Sequence, residues 1–158
     1  MALIIEAPNE IYSIANNNNL KLFLAGGITN CPDWQSVMID GLKDVYGLTI
    51  YNPRRANFPI GDPKASEAQI TWEFNHLRMA EAIVFWFSRG SLNPIVLFEL
   101  GLWGLSNTRP IFIGIDKGYE REQDVRIQTA LARPELQIYD DMDDIICDVA
   151  ELVNYPND

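Results

Sequence analysis

Residues 82–101 read AIVFWFSRGSLNPIVLFELG. The first six are apolar without a break, the length and composition of a strand buried on both faces. Ser88 to Ser91 make a loop, and Asn93-Pro94 reads as a helix N-cap followed by proline at the first helical position. An apolar helix to about Ser106 follows. A strand buried on both faces and leading through a short loop into a helix is the unit from which parallel sheets are built.

The same alternation runs outward in both directions. Upstream, residues 20–25 (LKLFLA) form a strand that ends in Gly26-Gly27. Residues 33–45 have helical spacing, with Trp34, Val37, Met38 and Leu42 on the apolar stripe. Residues 48–51 are a second strand, ending in Asn52-Pro53-Arg54-Arg55. After a loop through Pro63, Ser66 and Gln69 have the spacing of a capping box for a helix to about Met79. Downstream, residues 110–115 and 136–139 are strands, and residues 123–132 and 141–153 are helices. The chain is therefore α/β, with a parallel five-stranded sheet covered by helices on both faces, in one domain over residues 20–158. Residues 1–19 are an N-terminal arm or added edge segment, with a polar turn at Asn16 to Asn19. In such folds ligands sit beyond the carboxyl ends of the strands. Residues 26–30, 52–57 and 88–93 should line that edge.

Composition narrows the function. The 158 residues carry a formal net charge of −10, a poor match for a nucleic-acid polymer or an anionic membrane surface. Cys31 and Cys147 stand far apart, as reduced thiols of a cytoplasmic protein would. The first residues, MALIIEAPNE, lack the basic region of a signal peptide and are too short an apolar run to span a membrane. A single histidine, His76, leaves little material for a zinc site or a serine triad. The chemistry falls to carboxylates.

Glu99 is the only charge between Arg89 and Arg109. A helix so apolar all round is buried in the domain or at an interface. A lone buried carboxylate costs several kcal/mol, roughly, unless paired or hydrogen-bonded. Glu99 is then either a satisfied core acid or a functional one, since perturbed acids cluster at sites. Gly26 and Gly27 make either a tight turn or a close backbone approach to a ligand, and they are no dinucleotide fingerprint. Asn52, Arg54 and Arg55 are either surface groups or a polar rim. Glu73 and His76 share a helix face with Trp72 nearby. One such pair does not make a metal site, and a carboxylate poised near a substrate is the better reading. Asp124, Arg126 and Gln128 read as a solvated helix start.

Taken together, LFLAGGI, NPRR, WEFNHLRMAEAIVFWF and N-P-x-x-x-x-E-L-G, in this order and spacing, resemble the nucleoside 2-deoxyribosyltransferase family over about residues 20–139. The resemblance implies a flavodoxin-like (Rossmann-like), doubly wound fold and exchange of the base of 2′-deoxyribonucleosides with free nucleobases, without a cofactor or a metal. It implies Glu99 as nucleophile, and Glu73 as the acid that positions it or handles base protons. Asn93, six residues before Glu99, stands where the family commonly has the aspartate that binds the sugar 5′-hydroxyl. Asparagine still hydrogen-bonds a hydroxyl but brings no charge, which loosens the choice between free hydroxyl and 5′-phosphate. Phe23, Gly26, Gly27, Asn52, Arg55 and Trp72 would bind substrate, and Phe23, Phe58 and Trp72 would wall a dry pocket. The family's usual homo-oligomers share sites between subunits, which implies Arg126 and Gln128 across an interface.

The chemistry implied is attack of ionised Glu99 on C1′ as oxocarbenium character develops, then capture of the covalent deoxyribosyl-enzyme by a second base. Two alternatives stand beside transfer. One is an N-glycosidase acting on 2′-deoxynucleoside 5′-monophosphates, with Arg54, Arg55, Ser88 and Ser91 on the phosphate. The other is a nucleotide-binding sensor without catalysis.

Overall fold

The computed structural model describes residues 1–10 and 18–155. Part of the expected polar turn, Asn16 and Asn17, lies outside them. Six strands form one sheet: β1 (Leu3–Glu6), β2 (Leu20–Gly26), β3 (Leu48–Asn52), β4 (Ala82–Phe87), β5 (Ile111–Ile115) and β6 (Ile138–Tyr139). All neighbours pair in parallel, in the order β1-β3-β2-β4-β5-β6. The five strands expected are present, and β1 is a sixth. It adds to the free edge of β3 in the register Leu3↔Thr49 to Glu6↔Asn52. Four residues carry too little periodicity to announce a strand; the open edge of β3 supplies the ladder.

The helices are α1 (Trp34–Leu42), α2 (Pro63–Met79), α3 (Pro94–Glu99), α4 (Glu122–Ala132) and α5 (Met142–Asn154). Side chains alternate along β2: Leu22 and Leu24 join Trp34, Met38, Leu42, Ile145 and Val149 on one face. Phe23 and Ala25 join Trp72, Leu77, Val96, Leu100 and Val125 on the other. The period of two thus sends one strand into two cores, with α1 and α5 over one face and α2, α3 and α4 over the other. Every residue of β4 is buried, as its unbroken apolar run requires.

Two local expectations are corrected. Helix α2 starts four residues early: Asp62, not Ser66, caps it, its side chain accepting from Lys64 N at 2.9 Å, with Pro63 in the first turn. Ser66 and Gln69 therefore lie inside the helix and form no capping box. The apolar helix is also not uniform. It is α-helical only over Pro94–Glu99 and widens into π-helical turns over Leu100–Leu105. Nor is it buried on all sides in one protomer: Ile95 and Phe98 are 61% and 67% exposed. Among the described residues no helix is long and apolar enough to cross a membrane.

The chain leaves β2 to form β3 on one side and β4 on the other, so β2 and β4 flank the switch point. Their carboxyl ends open the crevice where such folds bind ligands.

Candidate active site

A cavity of about 310 Å³ occupies that crevice. From β2 and its loop it takes Phe23, Gly26 and Gly27, from α2 Glu73, and from the β4–α3 connection Ser91, Asn93 and Glu99. No lysine or arginine is among its lining residues.

The floor is backbone, and its placement has specific causes. Trp34 Nε1 donates to Gly27 O at 3.1 Å, and Gln35 Nε2 donates to the same oxygen at 3.4 Å. A side chain on Gly26 would run into the Trp34 indole. Gly26 and Gly27 both line the cavity, and the tight approach their missing side chains allow is to Trp34, Asn93 and Cys31.

Asn93 holds the far wall. Its φ is 50°, a left-handed conformation that asparagine tolerates. It is the N-cap residue of α3 with Pro94 first in the helix, as the sequence implies, but its side chain makes no capping hydrogen bond. Its Nδ2 instead donates to Ser88 O at 2.9 Å and to Ser91 O at 3.0 Å. Both amide hydrogens are spent on main-chain oxygens, so Oδ1 must point away from them, toward Gly27. There the Cys31 thiol donates to it at 3.5 Å. The loop that carries Asn93 is pinned from outside as well: Tyr119 Oη donates to Leu92 O at 2.7 Å.

Glu99 closes α3 and is 8% exposed. No cation lines the cavity beside it, and burial pushes its carboxyl up to about 8, with the Glu73 charge adding in the same direction. Glu73 is raised by burial too, opposed by a hydrogen bond from Gln69. Gln69 Nε2 lies 2.8 Å from Glu73 Oε1 and 2.8 Å from Pro53 O. Two carboxylates lining one cavity without a cation cannot both ionise at low cost, which favours the protonated form of Glu99.

Other residues expected at the site lie elsewhere. Trp72 is buried and stacked on His76, ring centroids 3.9 Å apart, with Nε1 donating to Asn9 O; it backs Phe23 rather than facing the cavity. His76 Nδ1 meets Trp72 O at 2.8 Å, so the Glu73–His76 pair is split between two environments. Asn52 Oδ1 accepts from Arg54 N, closing the turn after β3. Arg54 is a clamp, donating to Pro32 O, Cys31 O and Gln35 Oε1. Arg55 lies over the Phe58 ring, and neither lines the cavity. Arg126 and Gln128, expected across an interface from a second subunit's site, lie on α4 away from this chain's own cavity, Arg126 paired with Glu122 and Asp140 at 2.9 and 2.6 Å and Gln128 exposed. Of the three aromatic walls expected, only Phe23 serves.

Pro53, Thr29 and Ser91 line the cavity from the three segments expected at that edge; sequence reasoning missed Ile95 and Val96 on its wall and Gln69 behind it. Only Gln69 left a readable sign, the four-residue spacing to Glu73 on one helix. Among the described residues no three His, Cys, Asp or Glu side chains come together as a metal site needs.

The family profile described as "Nucleoside 2-deoxyribosyltransferase like" matches residues 19–119. The match runs from the start of β2 into the connection before α4 and takes in every residue lining the cavity. Comparison with curated proteins gave no match.

Proposed function

The chain belongs to the nucleoside 2-deoxyribosyltransferase-like family, and on that premise we propose that it exchanges the base of 2′-deoxyribonucleosides through a covalent intermediate on Glu99. The observation that carries this reading is the Glu73–Glu99 pair, a half-buried and a buried carboxylate on one cavity that no cation lines.

The protonated form of Glu99 fits the stoichiometry. Glu99 enters with its proton, and the C1′–N bond breaks with its electrons moving to the base nitrogen. That nitrogen takes the proton, relayed by Glu73 directly or through water, while a Glu99 oxygen bonds to C1′. The products are a glycosyl ester and a neutral base. An incoming neutral base reverses each event and restores the protonated pair. Attack from opposite faces in the two steps gives net retention. The apolar walls from Phe23, Ile95 and Val96 disfavour water as the acceptor.

The sugar end supports an uncharged substrate. Asn93 offers the cavity an acceptor, which suits a donating 5′-hydroxyl and repels a phosphate oxygen. Arg54 and Arg55 are held elsewhere, so a 5′-monophosphate dianion would face two acids without a compensating cation.

We also assign the exposed Ile95, Phe98 and Leu102 to contact with a second copy. Ile95 also lines the cavity, so assembly on this face would complete its outer wall.

The test is chromatography of the protein with deoxyinosine, with and without adenine, beside Glu99→Ala. Deoxyadenosine formed only with adenine and only when Glu99 is present supports exchange. Hypoxanthine released equally without adenine would convert the reading to hydrolysis. Turnover of deoxynucleoside monophosphates alone would overturn the assignment at Asn93.

A further inference from the structure

Gln69 has an unusual set of contacts for a residue that does not reach the cavity. It is nine-tenths buried. Its Nε2 donates to Pro53 O and to Glu73 Oε1, both at 2.8 Å. Its Oε1 is buried with no partner among the described residues. Turning the amide over would aim that oxygen at two acceptors, so the orientation is unambiguous. An unsatisfied buried acceptor is unfavourable, and here it accompanies a fixed direction for the two N–H bonds. One bond anchors the side chain to the loop after β3, whose Pro53 lines the cavity. The other reaches one turn along α2 to the Glu73 carboxylate, which also lines it.

We propose that Gln69 is a positioning residue of this site, holding the Glu73 carboxylate ionised and fixed in direction by locking an amide between Pro53 O and Glu73 Oε1. The inference rests on the reading of Glu73 as the group that passes a proton to the leaving base. Donation to a carboxylate favours its charged form. Glu99, the other titratable group lining the cavity, receives no such bond among the described residues. Gln69 thereby decides which member of the pair carries the proton: Glu73 stands ready to accept, and Glu99 is the donor. Without it, Glu73 would compete for that proton and the relay would start from the wrong end.

The experiment is a carbon-13 NMR titration of the glutamate side-chain carboxyls, in the wild type and in Gln69→Leu, with base-exchange kinetics on both. Removal of the donor is expected to raise the Glu73 midpoint by about one pH unit. In the same variant kcat falls tenfold or more while KM changes less than threefold. An unchanged Glu73 midpoint overturns the proposal, as does a kcat loss that tracks loss of folded protein. The wild type supplies a second measurement that needs no variant. The Gln69 side-chain amide proton facing Glu73 should shift with the Glu73 titration, and an amide signal that ignores it also overturns the inference. Because the titrations do not depend on turnover, failure of base exchange with an intact Gln69–Glu73 coupling would count against the proposed function alone.

Discussion

The backbone of Gly27 runs directly against the side chain of Asn93: a Cβ on Gly27 would overlap Asn93 Oδ1 and crowd Cys31 Sγ. Two loops that follow different strands, β2 and β4, thus meet with no room for a methyl group. The contact lies where both residues line the cavity, at the end proposed for the sugar. Gly27→Ala should therefore lower kcat/KM at least tenfold with a change in Tm of only a few degrees. A variant with normal kinetics would mean that the Asn93 loop yields freely, and that the cavity is less fixed than its hydrogen bonds imply.

Asn93→Asp separates charge from hydrogen bonding. Aspartate tolerates the left-handed backbone and can accept from a hydroxyl. It cannot donate to Ser88 O and Ser91 O, and its charge would face both. Loss of two hydrogen bonds worth about 1 kcal/mol each predicts a fall in Tm of roughly 5 °C. Thermal unfolding checks it. Unchanged stability would show that the two carbonyls do not hold the asparagine.

The raised Glu99 carboxyl has a definite sign in stability. Its folded pKa, about 8, lies above its unfolded value, so the folded state binds the proton more tightly. The resulting stability is fully present below the unfolded pKa, near the ordinary carboxylate range, and is lost as pH rises through about 8. Glu99→Gln removes the titration. Relative to wild type, the variant should gain stability from pH 5 to pH 9, by as much as roughly 4 kcal/mol. Urea unfolding at the two pH values measures this, and parallel curves would mean that Glu99 titrates as an ordinary acid.

The same proton sets activity. kcat/KM should decline above about pH 8, where Glu99 loses its proton. In Glu73→Gln the like charge is gone, so the Glu99 pKa falls and the alkaline limb moves to lower pH along with a loss in rate. A limb that stays in place in this variant would disconnect the two carboxylates.

The exposed apolar side of α3 predicts self-association. Phe98→Asp should turn an oligomer into a monomer by light scattering, with the far-ultraviolet spectrum unchanged. A wild type already monomeric at micromolar concentration would remove the assembly from the proposal.

The alternation of apolar runs with helical spacing was readable residue by residue, and so was the sheet. Burial on both faces makes a strand such as β4 uniformly apolar, and that pattern is local. The same is true of Glu99, conspicuous as the one charge in an apolar helix. Strand β1 was not readable as a strand, because only the edge of β3 makes it one. The start of α2 was misplaced because two capping signals compete there, and Asp62-Pro63 prevails over Ser66.

By itself, the sequence determined the α/β class and the order of the elements from β2 onward, and it marked the carboxylates Glu73 and Glu99 and the glycines at the end of β2 as candidates. Each is a matter of composition or spacing over fewer than twenty residues. The tertiary structure alone decided which polar groups meet the cavity. Arg54, Asn52 and Trp72 look like ligand groups in sequence, yet they are consumed by Cys31 O, the turn after β3 and Asn9 O. Gln69 and Pro53 look ordinary, yet hydrogen bonds link Pro53 O through the Gln69 amide to Glu73. A hydrogen bond depends on direction and on partners dozens of residues away, and those are fixed only when the sheet brings the loops together.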